Sequence, residues 1–158
     1  MNGAVIARQF ELSGYALDRN LDGVSRAQSL AIPAGGGSSI NWVVGHILRS
    51  REARIFATLG LESIWSDPRQ ELYGKDKTPA DLAGREVSVG EMVRRFERSQ
   101  PILLSRLQGM SEEDLNAPLD EPHDTFGKTV GDMVSFFAWH EAYHVGQLAV
   151  LRRAGDTP

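Results

Sequence analysis

The sequence predicts an all-α fold, a four-helix bundle, and three observations carry that reading. In four separate segments the apolar residues recur at spacings of three, four and seven, the period of a helix with one buried face. Ser38 or Ser39, Ser88 and Thr129 stand as N-caps just before three of these segments, and Gly60 closes one of them. No stretch alternates apolar and polar residues as a half-buried strand would. At 158 residues the chain is most simply one domain, spanning 1–158, and long enough to bury an ordinary core.

The first helix is expected over residues 4–22, with Ile6, Phe10, Leu17, Leu21 and Val24 on one face. After Gly23, Ser25-Arg26-Ala27-Gln28 has the form of a capping box and starts a short helical turn. Pro33-Ala34-Gly35-Gly36-Gly37 then ends regular structure. Its glycine triplet lacks the Gly-Lys-Ser/Thr and the preceding strand of a phosphate-binding loop, and reads as a flexible connector.

Ser38 or Ser39 caps the second helix, which carries Ile40, Val43, Val44, Ile47, Ile55 and Leu59 and ends at Gly60. His46 lies inside it, within one turn of Val43 and Ile47. Residues 61–87 show no clear period, although Thr78-Pro79-Ala80-Asp81 reads as a helix start with proline in the first position. This connection far exceeds the roughly 2 to 8 residues of an ordinary helix hairpin. It is long enough to carry the chain back along a bundle about 30 Å long, which makes helices two and three parallel.

Ser88-Val89-Gly90-Glu91 forms a second capping box. It opens a third helix with Val89, Met92, Val93, Phe96, Leu103 and Leu107 on its face. Pro101 inside it should kink or locally break it. A polar loop from Gly109 to Gly127 follows, containing Pro118, Pro122, His123 and Asp124. Thr129, with Asp132 three residues on, starts the fourth helix, whose face holds Val130, Met133, Val134, Phe137, His144, Leu148 and Leu151. Arg152 and Arg153 in its last turn suit the helix dipole. Leu21-Asp22-Gly23-Val24-Ser25 and Leu107-Gln108-Gly109-Met110-Ser111 resemble each other, as a duplicated two-helix unit would.

Composition narrows the function. A net charge of -4 with scattered arginines gives no reason to expect nucleic-acid or acidic-membrane binding. With no cysteine, a disulfide framework, a thiolate metal site and a cysteine nucleophile are excluded. Arg8, Glu11, Asp18 and Arg19 interrupt any signal-peptide core, and no apolar run approaches the roughly 20 residues of a membrane span. The expected location is cytoplasmic.

The chemistry is concentrated in Trp139-His140-Glu141-Ala142-Tyr143-His144-Val145-Gly146-Gln147-Leu148. Residues i and i+4 share a helix face with Cβ atoms about 5 to 6 Å apart. His140 and His144 can thus reach one metal ion, because a Zn–N bond is about 2.0 to 2.1 Å. Catalytic sites commonly use three protein ligands and leave a position open. His46, on another core-facing helix, is the candidate third, while His123 follows Pro122 in a polar loop and reads as solvated. The competing reading is a pair of core histidines bonded to backbone or carboxylates.

His140-Glu141-Ala142-Tyr143-His144 also matches the H-E-x-x-H pattern of zinc peptidases, with Glu141 as general base. Only 14 residues follow His144, and they contain no histidine and Asp156 as their sole carboxylate, so a peptidase ligand set is not completed. Glu141 remains a candidate general base, although it points about 100° away from His140 and suits an inter-helix partner. Gln147 is a candidate to bond a ligand or bound water, or to form a plain inter-helix hydrogen bond. Trp42 either walls the site or fills core, and Trp139 and Tyr143 flank the pair.

The combination of Ser39-Ile40-Asn41-Trp42-Val43-Val44-Gly45-His46-Ile47, Thr129-Val130-Gly131-Asp132-Met133 and the H-x-x-x-H-x-G-Q run from His140 to Gln147 resembles the DinB/YfiT-like superfamily of metal-dependent enzymes. The resemblance implies a four-helix bundle of up-down-down-up topology with a long crossover between helices two and three. It also implies a divalent metal, Zn, Ni or Fe, on His46, His140 and His144. By the same resemblance the activity is that of a hydrolase or thiol (S-)transferase on a small-molecule or thiol substrate, in a homodimer. A non-catalytic metal-binding or interaction module is the alternative, and a helical bundle without metal the third. Imidazole ligands suit all three of these metals.

Overall fold

The computed structural model describes residues 2–155, and these are mostly helical. Four long helices occupy the four periodic segments: α1 (Gly3–Leu21), α3 (Ile40–Ser50), α5 (Val89–Gln108) and α7 (Val130–Gly155), with short helices α2 (Arg26–Leu30), α4 (Pro79–Leu82) and α6 (Glu112–Asn116) between them. Each start has a side-chain cap of the kind the sequence offers. Ser39 Oγ accepts from Trp42 N–H, and Ser88 Oγ accepts from Glu91 N–H. At α7, Thr129 Oγ1 accepts from Asp132 N–H while Asp132 Oδ2 accepts from Lys128 and Thr129. These bonds, that from the Lys128 backbone first, hold the Asp132 carboxyl below its ordinary range.

The internal echo reappears as geometry. Ser25 caps α2 in a capping box with Gln28, and Ser111 caps α6 in a capping box with Asp114. A long helix followed by a serine-capped turn of five residues therefore occurs twice.

Three features differ from the sequence expectation. Helix two does not stay α-helical, because α3 continues into a π-helical segment, Arg51–Phe56, and the chain then turns at Gly60 with φ +66°. The wider turn begins at Arg51, whose side chain is fully buried. Secondly, α5 runs unbroken through Pro101. Proline removes one backbone donor, but Pro101 and Glu97 are both exposed, on the solvent side of the helix where a freed carbonyl costs least. Thirdly, the polar loop after α6 contains an antiparallel hairpin of β1 (Pro118–His123) and β2 (Gly127–Thr129), with Pro118 opposite Thr129 and His123 opposite Gly127. Apart from Leu119, β1 is exposed, so the hairpin has no alternating apolar face to be read.

α1 packs along α5 and α7, and α3 packs against the same two helices. One part of the core joins Leu17, Ile40, Val43, Phe96, Val145 and Leu148; the other joins Ile6, Phe10, Ile55, Leu103, Met133 and Phe137. The start of α1 lies against the end of α5, where an added Cβ on Gly3 would fall 2.1 Å from the Leu107 carbonyl oxygen. The end of α1 meets the second half of α7, where Asn20 Nδ2 donates to the Val145 carbonyl at 3.2 Å.

The crossover between α3 and α5 is packed rather than loose. It contributes Trp65, Tyr73, Leu82 and Val87 to the core, and a 3-10 turn, Pro68–Tyr73, holds its middle. Tyr73 Oη accepts from Val87 N–H at 2.8 Å and donates to Asn41 Oδ1 at 3.2 Å, while Asn41 Nδ2 donates to the Val87 carbonyl at 2.8 Å. This closed set ties the middle and the end of the crossover to α3. Among the described residues no helix is long and apolar enough to cross a membrane.

Candidate metal centre

α3 delivers His46 and α7 delivers His140 and His144 to one point, where one ligand-capable atom from each lies within 4.8 Å of the others. Trp42, one turn before His46, is buried and stacks on its ring with centroids 4.8 Å apart and planes 10° apart. His123 is elsewhere, exposed on the hairpin, with its Nδ1 accepting from Thr125 N–H.

Two second contacts fix how the rings are turned. His46 Nδ1 lies 2.8 Å from the Tyr73 carbonyl oxygen, and His144 Nδ1 lies 2.7 Å from Gln147 Oε1. Both oxygens can only accept, so each Nδ1 carries the proton and each Nε2 presents a lone pair. His140 Nε2 sits between them, 3.3 Å from His46 Nε2 and 3.1 Å from His144 Nε2.

Three imidazole nitrogens pointed at one another form a poor hydrogen-bonded set, since a single proton on His140 Nε2 serves one neighbour and not both. A cation satisfies all three. Ligands about 2.0 to 2.1 Å from a tetrahedral metal lie roughly 3.3 to 3.4 Å apart, close to the two separations from His140 Nε2, while the three ligand atoms as a set lie within 4.8 Å of one another. Protonation fits poorly. Burial, then the neighbouring charges of His144 and His46, hold His140 down to about 3. Burial likewise lowers His46 and His144, against the opposing pull of the Tyr73 and Gln147 hydrogen bonds. The donor set is thus neutral near pH 7, as metal ligands must be.

The close approach of the crossover makes the Tyr73 contact possible. The Tyr73 ring lies directly over Gly45, where an added Cβ would stand 2.1 Å from a ring carbon. Only glycine leaves room for it.

Glu141, between the two α7 histidines in sequence, faces a different partner. Its carboxylate accepts from Arg51 Nη2 at 2.8 and 3.0 Å and from Arg51 Nε at 3.2 Å, and both side chains are buried. Arg51 Nη1 also donates to Ser99 Oγ and Gln100 Oε1, and the guanidinium lies 3.8 Å from the centre of the Phe96 ring. Burial pushes the Glu141 carboxyl up, against the pull of the Arg51 charge. Glu141 and Arg51 thereby tie α7 to the π segment and α5.

A cavity of about 340 Å³ opens at the histidines and is bordered by His46 and His140. Its lining includes a contiguous aromatic cluster, Phe136 and Phe137 of α7 with Phe126 from the hairpin, together with charged side chains from the π segment and the crossover. Sequence reasoning missed Arg51, Tyr73 and Phe126 as parts of this region. Gly45 beside His46 was the available signal for Tyr73, because a glycine inside a helix costs stability unless something packs against it.

A family model described as the DinB superfamily matches residues 9–148, a span that includes all three histidines. The chain belongs to the DinB superfamily. No curated protein matches it. The crystal structure of a conserved protein from Enterococcus faecalis is similar, with a TM-score of 0.79 over 98% of this chain and 97% of that one. At 18% identity that likeness is one of fold. Membership of the superfamily and the histidine cluster together fit a metal-binding role.

Proposed function

We propose that this DinB-superfamily chain binds one divalent metal ion, Zn, Ni or Fe, on His46, His140 and His144, and works as a metal-dependent hydrolase or thiol transferase on a small molecule. The observation that carries the reading is the convergence of three neutral histidines, two of which, His46 and His140, border a 340 Å³ cavity. A metal of this class supplies Lewis acidity, which lowers the pKa of a bound water or thiol and polarises a carbonyl. The chain supplies the rest. The Tyr73 carbonyl and the Gln147 amide hold two rings in the tautomer that presents Nε2. Trp42 backs His46, and Phe136 and Phe137 dry the cavity beside His140.

A purely structural metal would sit in a closed shell, and the cavity bordering two of its ligands favours the catalytic reading. The test is turnover of activated esters and of thiol–electrophile pairs by zinc-, nickel- and iron-loaded protein. Activity is expected in at least one loaded form and is expected to vanish in chelated protein and in His140→Ala. A loaded, folded protein inert in every form would favour the structural metal, and activity untouched by chelation would contradict the proposal.

Within one cytoplasmic domain, we read the four long helices as an up-down-down-up bundle, supported by the opposed contacts of α1 with α5 and its matched contacts with α7. A homodimer is supported by an apolar groove between α1 and α7, lined by Val5, Ala138, Trp139 and Ala142. Val5, Trp139 and Tyr143 are each more than half exposed, at 58%, 59% and 53%, and Trp139 and Tyr143 stack. Light scattering is expected to give twice the chain mass for the wild type and a single chain for Trp139→Glu. A wild type that stays monomeric at every concentration would remove this part.

A further inference from the structure

We infer that the small molecule taken at this site is an organic anion on an apolar body: an aryl- or alkyl-carboxylate whose head sits on the cations of the cavity lining and whose body sits on its phenylalanines. The inference deepens the functional reading above and rests on it for the identity of the site, but its argument is independent of the metal.

The charge around the cavity runs against that of the chain. The protein carries a net charge of -4, whereas the cavity is lined by the cations Arg49, Arg54, Lys75 and Lys77 against only two acids, Glu71 and Asp76. Glu71 is already engaged, accepting from Arg49 Nη2 at 2.9 Å. Among the described residues, Arg54, Lys75 and Lys77 have no ion-pair partner, and all three are exposed. The lining therefore carries more cations than acids, even with Asp76 counted, and draws them from two different elements, the π segment and the crossover, which makes it locally positive in an acidic protein.

In the same lining, Phe126 lies 4.7 Å from Phe136 and 5.3 Å from Phe137, centroid to centroid, and Phe136 and Phe137 continue to His140. Both groups line one cavity, so one ligand meets both. A volume of about 340 Å³ lies near the lower end of the roughly 300 to 1,000 Å³ typical of small-molecule sites, which suits a single ring and a short chain. A neutral apolar molecule would leave the cations unused, and an anion without a body, such as acetate, would leave the aromatic wall exposed to water.

The test compares 4-phenylbutyrate, its neutral amide 4-phenylbutanamide, and butyrate by calorimetry at low ionic strength, on zinc-loaded and on metal-free protein. In both forms 4-phenylbutyrate is expected to bind about tenfold more tightly than the amide, the worth of one charge-assisted hydrogen bond, and more tightly than butyrate. The triple variant Arg54→Gln, Lys75→Gln, Lys77→Gln is expected to bind carboxylate and amide alike while keeping the zinc content of the wild type. Phe126→Ala is expected to weaken both ligands together. Equal binding of carboxylate and amide by the wild type, or a carboxylate preference that survives in the triple variant, would overturn the inference. Zinc content is read on the same samples. A chain that takes up no zinc yet prefers the carboxylate would retain this inference and remove the metal from the function.

Discussion

Arg51→Ala is expected to destabilise the fold by about 3 to 5 kcal/mol. The cost follows from what is left behind. Glu141 would keep a buried carboxylate without the charged partner it has here, and Ser99 and Gln100 would each lose a donor. The Phe96 ring would lose the cation stacked on it. Urea unfolding monitored by helical circular dichroism measures the loss directly. The double replacement Arg51→Met, Glu141→Leu is expected to recover most of it, because apolar groups of similar volume replace a buried ion pair at little cost. A loss below about 1 kcal/mol in Arg51→Ala would mean that water reaches the pair and that it is not a buried tie.

Gly45→Ala is expected to act on stability and on the metal centre at once. The new methyl group cannot share space with the Tyr73 ring, so the ring and its backbone must withdraw from α3. Overpacking of this kind costs about 1 to 3 kcal/mol. The same displacement draws the Tyr73 carbonyl off His46 Nδ1, and loss of such an outer contact typically weakens metal binding by about 10- to 100-fold. Gly146→Ala is the control. It lies on α7 near His144 with nothing within 4 Å of the added Cβ, so it should leave affinity unchanged and gain about 0.5 to 1 kcal/mol from helix propensity. A competition titration with a chromogenic chelator reads both variants. Equal affinities in the two would show that the Tyr73 contact does not shape the site.

Much of the scaffold was legible because it is local. The helix segments follow from apolar period and from the caps Ser25, Ser39, Ser88 and Thr129, each of which acts within a few residues of itself. The placement of His46 beside His140 and His144 was legible for a related reason, since all three lie on core-facing helices that must meet. Long-range pairing was not legible. Nothing near Arg51 in the chain announces that its partner is Glu141, 90 positions away, and a charged pair at two apolar-patterned sites defeats a reading based on hydrophobic period. Tyr73 was hidden in an aperiodic crossover whose backbone, not its side chain, touches His46. The hairpin was hidden because its exposed strand carries no apolar alternation, although its Phe126 enters the cavity wall.

The central claim is that the three histidines are ligands and not merely core residues. Elemental analysis of protein prepared without an affinity tag, beside His144→Ala, tests it most directly. About one divalent metal per chain in the wild type, and close to none in a variant whose helical circular dichroism is unchanged, is the predicted result. A wild type that holds no metal, and takes up none after incubation with zinc, nickel or iron salts, would contradict it.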